Sequence, residues 1–126
     1  MAFKLKTSLA DTTPCTEYFN GKQGEVFKYG QALVLSGGTL TKCLPTTKPD
    51  FISLADVSCE NASTSVPVMR VFDFYVFTCP IDGDTSSLSI GNSVSLNTDA
   101  TGVSNQTANG VAQLIEITTD FVSVKF

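Results

Sequence analysis

From Glu25 onward the apolar residues fall in short runs punctuated by Gly, Pro, Asn and Asp. Val26-Phe27-Lys28-Tyr29 leads through Gly30 into Gln31-Ala32-Leu33-Val34-Leu35. Ser36-Gly37-Gly38-Thr39 and then Leu40-Thr41-Lys42-Cys43-Leu44 follow. Gly-Gly between two apolar runs predicts a two-residue hairpin, because primed turns need positive φ at both central positions. Residues 45–49 read as a loop. The run at 51–57 fits a strand or a helical turn, and its length and β-branched content favour a strand. Residues 60–65 form a polar loop. Segment 66–77 is the most apolar, with both parities apolar and only Arg70 and Asp73 interrupting. That pattern predicts a strand buried on both faces. Pro67 cannot donate to a ladder and is expected at the strand's start or on an edge. Leu88, Ile90, Val94 and Leu96 share one parity, and serines and Gly91 the other. This predicts a half-buried strand with a serine-coated outer face, bent near Gly91-Asn92. Turn clusters at 82–84 and 97–102 set off two closing strands, 110–117 and 121–126.

No window carries a 3.6-residue stripe. Many short strands between turn signals predict an all-β fold, a small β-barrel or β-sandwich of short antiparallel strands. Residues 1–24 show no sustained period and hold two turn-like sequences, Asp11-Thr12-Thr13-Pro14 and Asn20-Gly21. They are expected to form an irregular N-terminal arm or a loosely packed first strand, with 25–126 a single β domain. A faint echo links Tyr29-Gly30-Gln31-Ala32-Leu33-Val34-Leu35 to Ile90-Gly91-Asn92-Ser93-Val94-Ser95-Leu96, 61 residues apart. It marks either two pseudo-equivalent β units or the ordinary reuse of Gly and Asn in β turns.

The length of 126 residues fits one domain. Surface scaling gives roughly 6,500 Å² folded against roughly 19,000 Å² unfolded, enough burial for one core. Only 16% of residues are charged, against about 25% in a typical soluble domain. The polar share is instead 16 Thr and 13 Ser. Few charges and many hydroxyls point to a protein with much of its surface covered, or to one that works outside a reducing cytosol. The absence of His removes imidazole-based triads and His-ligated metals. A net charge of −4 argues against a nucleic-acid surface. No apolar run approaches the length of a membrane span or of a signal peptide's apolar stretch, so no membrane partner is expected.

Cys15, Cys43, Cys59 and Cys79 contain no CxxC pair. Two disulfides are possible on paper, but free thiols acting as small hydrophobes are favoured. The sequons at Asn61 and Asn105 read as incidental in a Ser/Thr-rich chain. Asp82 and Asp84 lack the further ligands of a calcium loop and read as a solvated turn. Arg70 and Asp73 read as an ion pair or a strand-edge charge. Gly37-Gly38 lacks the helix and Lys-Ser/Thr of a phosphate loop. No catalytic, cofactor or metal site emerges, and no enzyme is expected. Phe72, Phe74, Tyr75 and Phe77 are better read as core or as an oligomer interface than as a carbohydrate platform.

The irregular start, the stretches 24–35, 91–96 and Gly110-Val111-Ala112, and the acidic, His-free, Ser/Thr/Gly-rich composition resemble the small head decoration (cement) proteins of tailed bacteriophages. The resemblance implies a β module on the outer surface of the virion head, assembled in the host cytoplasm. It implies a homo-oligomer, with a trimer favoured, that binds the major capsid protein and stabilises the shell. By position, residues 3–20 would be its docking arm. Phe3, Leu5 and Leu9 would be apolar anchors, and Lys4 and Lys6 contacts to acidic shell surface. The competing reading is a glycan- or cell-surface-binding β module of a fibre or baseplate.

Overall fold

The computed structural model describes residues 2–10 and 14–126, and within them every regular element is a strand. The strands are β1 (Lys4–Ser8), β2 (Thr16–Asn20), β3 (Val26–Phe27), β4 (Ala32–Ser36), β5 (Thr39–Lys42), β6 (Phe51–Ser53) and β7 (Val57–Ser58). There follow β8 (Ser65–Arg70), β9 (Tyr75–Cys79), β10 (Ile81–Asp82), β11 (Ser93–Val94), β12 (Val103–Ser104), β13 (Ala112–Ile117) and β14 (Val122–Lys125). One five-stranded sheet runs β1-β9-β14-β13-β11 and the other β2-β8-β6-β4-β5. The pair β3-β7 and the parallel pair β10-β12 complete the set. The result is a small β-sandwich. Edges β2 and β5 of the second sheet touch only at the bridge between Gly21 and Leu40, so no ladder closes a barrel.

Two apolar clusters fill the molecule. Ala32, Ile52 and Met69 from one face of the β2-β8-β6-β4-β5 sheet meet Phe3, Tyr75, Phe77, Leu114, Val122, Val124 and Phe126 from the other sheet. The opposite face of the first of these sheets carries Leu33, Leu40, Phe51, Val66 and Val68, packed under Phe27 and Cys59. That sheet is therefore buried on both sides, which is why Val66, Val68 and Met69 of β8 are all buried. The folded chain exposes 6503 Å², in line with the roughly 6,500 Å² that its mass predicts.

The predicted Gly-Gly hairpin is present. Gly37 and Gly38 have φ of 60° and 86°, and Ser36 pairs with Thr39 across them. Other expectations are corrected. Segment 66–77 is two strands in two sheets, β8 and β9. Past Arg70 the chain crosses over through a turn in which the Tyr75 N–H donates to the Phe72 carbonyl at 3.2 Å. Pro67 sits on an inner strand. In an antiparallel pair the N–H and C=O of one residue point to the same side. The Pro67 carbonyl accepts from Leu54 N just past the end of β6, where the ladder no longer needs its missing N–H. The run at 51–57 breaks into β6 and β7. Residues 88–92 are a turn: the Asn92 side chain accepts from Ser89 N and Gly91 takes a φ of 96°. Ile90 is left exposed at its apex, while Ser95, expected outside, is buried against Ser104. Residues 1–24 are no loose segment where described, because β1 and β2 belong to different sheets. The turn expected at 11–14 lies mainly outside the described residues.

The echo is real at the level of pairing. Ala32↔Ile52 and Leu33↔Phe51 recur as Ser93↔Gln113 and Val94↔Ala112, each residue 61 positions on. Gly30 N–H donates to Ser53 O and Gly91 N–H to Leu114 O, the same shift again. Glu17↔Val68, Tyr18↔Pro67 and Phe19↔Val66 match Phe77↔Val124, Thr78↔Ser123 and Cys79↔Val122. The parallel contact of Gly21 with Leu40 matches that of Ile81 with Val103. Strand order β2-β8-β6-β4 is thus repeated as β9-β14-β13-β11. The halves differ at both edges: β1 covers β9 while among the described residues no strand lies beyond β2 in its sheet, and β5 extends the first half past β4 where β11 ends the second.

Candidate docking surface

The crossover from β8 to β9 presents aromatic residues at the surface. Phe72 and Phe74 stack with centroids 5.0 Å apart and planes 8° from parallel. Both meet Tyr75 edge-on, at 5.6 and 5.0 Å. Tyr75 is buried and anchors the pair to the core through Phe77. Parallel offset rings supported by a perpendicular third are a stable aromatic arrangement, so the exposed face of Phe72 is held rather than loose. The end of β1 lies alongside. Leu9 N–H donates to the Phe74 carbonyl at 2.6 Å. Leu9 is 65% and Phe72 41% exposed. Leu9 and Phe72 are exposed while Phe74 is half-buried against the core, and exposed apolar side chains brought to one place mark a candidate contact surface.

The structure thus joins one residue of the predicted arm, Leu9, to two of the predicted interface residues, Phe72 and Phe74. It separates the others. Phe3 is 1% exposed and sits in the core against Phe77 and Phe126, so it is a core residue and no anchor to another molecule. Tyr75 and Phe77 are likewise buried and present no surface. Two positions apart on β9, their rings share one face, and that face lies on the core between the sheets. Leu5 is half-buried against the same core.

Lys4 and Lys6 are both exposed on β1. Lys6 is engaged: its Nζ lies 2.6 Å from Glu116, which also accepts from Ser123 at 3.1 Å. These two hydrogen bonds, Lys6 first, hold the Glu116 carboxyl below its ordinary value. Lys4 has no ion pair among the described residues. It rims a shallow apolar hollow of about 190 Å³ with Ala2, Thr78, Cys79, Pro80 and Phe121. Arg70 pairs with Glu17 through two 2.9 Å hydrogen bonds, and not with Asp73 as the sequence suggested. That bond lowers the Glu17 pKa and raises that of Arg70. The guanidinium also lies 4.9 Å from the Phe51 ring. Asp73 stays exposed beside the aromatic cluster.

Asp84 turns onto Ser86, accepting from its N–H and hydroxyl at 2.9 Å each, and these bonds lower its pKa. Among the described residues no three His, Cys, Asp or Glu side chains gather as metal ligands. Cys43, Cys59 and Cys79 are free, buried thiols. Desolvation pushes Cys43 and Cys79 up to about 12, far from the reactive range. The sequence missed the proximity of Leu9 to Phe74, since nothing local signals that β1 pairs with β9. No protein-family model matches the chain, and no curated protein matches it.

Proposed function

We propose that the chain is a non-enzymatic structural protein of a virion. It is a decoration module that binds the major capsid protein on the outer surface of a phage head and stabilises the shell. The observation that carries this reading is exposed Phe72, stacked on half-buried Phe74, beside exposed Leu9, whose backbone is bonded to Phe74, on a surface otherwise rich in Ser and Thr. Such a patch supports docking on a protein lattice, where many weak contacts add through valency. Lys4, at the other end of β1 from Leu9, supplies a cation for an acidic shell surface.

The test is sedimentation of purified protein with expanded heads assembled without it. The protein co-sediments to saturation, and Phe72→Ser or Leu9→Ser weakens binding at least tenfold while leaving the fold intact. Protein that stays in the supernatant at saturating concentration sinks the reading. The glycan-binding alternative draws support from exposed Tyr18 and Tyr29. It requires sugar binding that Tyr29→Ala abolishes, whereas Tyr75, buried, is no platform for it.

A further inference from the structure

We infer that β2 is a self-association edge, where a second copy of this chain adds its own β2 antiparallel and joins two sheets into one. The inference begins with the internal duplication. β2 and β9 hold equivalent places in the two halves, each pairing on one side with an equivalent strand, β8 or β14. The other side of β9 accepts β1 in an antiparallel ladder. The backbone in this position is therefore shaped to take an antiparallel strand, and in the first half the place is open along Thr16–Phe19 among the described residues, with β5 meeting only the far end of β2 through Gly21 and Lys22.

The sheet edges differ in how they are guarded. Natural edges avoid uncontrolled pairing through shortness, lysines or cover. β11 has two residues. β1 carries Lys4 and Lys6 and a register break between Leu5 and Thr7. β5 ends on Lys42, and its Leu40 carbonyl is already taken by Lys22 N. β2 has five residues, Thr-Glu-Tyr-Phe-Asn, with no Lys and no Pro, and three of them are strong strand formers. Its Tyr18 is 67% exposed.

The occupant follows from self-complementarity. Only one antiparallel register pairs all five residues of β2 with a second β2. It sets Tyr18 opposite Tyr18, Thr16 opposite Asn20 and Glu17 opposite Phe19. No like charges meet, and an aromatic pair lies on the twofold axis, a favourable cross-strand arrangement. The same self-pairing of β1 in its full five-residue register would centre Lys6 on Lys6. The contact is short, so association is expected to depend on concentration. It lies on a different strand from the Leu9, Phe72 and Phe74 patch and stands or falls apart from head binding.

Cross-linking tests it. In a Cys15→Ser background, Tyr18→Cys and, as control, the equally exposed Ile90→Cys are oxidised and run on non-reducing gels. Directly opposed residues in an antiparallel pair lie about 4.5–5.5 Å apart at Cα, within disulfide reach. Tyr18→Cys is expected to give a covalent dimer and Ile90→Cys to stay monomeric. In sedimentation, Tyr18→Lys is expected to move the concentration-dependent dimer to monomer with an unchanged circular dichroism spectrum. The inference is overturned if Tyr18→Cys gives no dimer, if both cysteines cross-link equally, or if the parent protein is monomeric at its highest soluble concentration. It is also overturned if residue 18 becomes protected only when phage heads are added, because the edge then belongs to a shell strand.

Discussion

Phe3 and Phe72 look alike in the sequence and do opposite things. Phe3 is enclosed by Phe77 and Phe126, and a glycine lies beside it: a Cβ on Gly30 would come within 2.9 Å of the Phe3 carbonyl oxygen. Truncating Phe3 leaves a cavity that the surrounding strands cannot close. Phe3→Ala is expected to cost about 3–5 kcal/mol in urea unfolding. Phe72→Ser, at a partly exposed site, is expected to cost under about 1 kcal/mol and to act on binding instead. The thiols divide in the same way. Burial pushes the Cys43 and Cys79 thiols up to about 12, and burial first, then Glu25, raises Cys59. At pH 8 a thiol reagent is expected to modify native Cys15, which is exposed, and to reach the other three only after denaturation. Equal modification of all four in the native state would contradict the packing. Core aromatics could not be told from surface ones by pattern, because Phe72, Phe74 and Phe77 lie in one apolar run and the chain turns between them.

At the scale of elements, β1 is tied to its sheet by more than the ladder with β9. Lys6 reaches Glu116 on β13, and Ser123 on β14 donates to the same carboxylate. The Glu116 pKa is lowered from 4.5. A carboxylate depressed in the folded state stabilises the fold fully above its unfolded value and loses that contribution as pH falls through the folded one. Stability is therefore expected to decline as pH drops below about 4.5, with Glu17 and Asp84, also lowered, adding to the trend. Glu116→Gln should flatten the acid limb of a stability-against-pH curve and leave pH 7–9 nearly level. An unchanged acid limb in that variant would remove Glu116 from the account. Element existence was mostly legible from turn residues: Gly37-Gly38 fixed a hairpin, and the closing strands fell where their apolar runs lie. Element pairing was not legible, because β1 with β9 and β2 with β8 are long-range pairings that alternation cannot encode. Strand breaks at 54–56 and 71–74 were hidden for a related reason. Apolar residues continue through both, since each break stays packed against a core.

The whole molecule repeats one strand order in two halves and is expected to unfold as one. The two halves share one strand order and register, and only the 61-residue echo hinted at this in the sequence, since the backbone pairings recur where the side chains differ. A duplicated fold invites the expectation of two independent folding units. The cores argue otherwise. Ala32, Ile52 and Met69 from the first half lie in the same cluster as Phe77, Leu114, Val122 and Val124 from the second. A first half standing alone would leave that face of its sheet in water, losing about 25 cal/mol for each Å² of apolar surface uncovered. The two halves are therefore coupled through one shared cluster, while the cluster around Phe51 and Val66 belongs to the first half only. Ile52→Ala, which opens the shared cluster, is expected to cost about 2–5 kcal/mol and to lower the protection of amides in β6 and β13 together. Urea transitions followed by tyrosine fluorescence and by far-ultraviolet circular dichroism should coincide in both the parent and the variant. Tyr18 and Tyr29 report on the first half and Tyr75 on the second, so separate transitions would show the halves melting independently and would break the argument from the shared core.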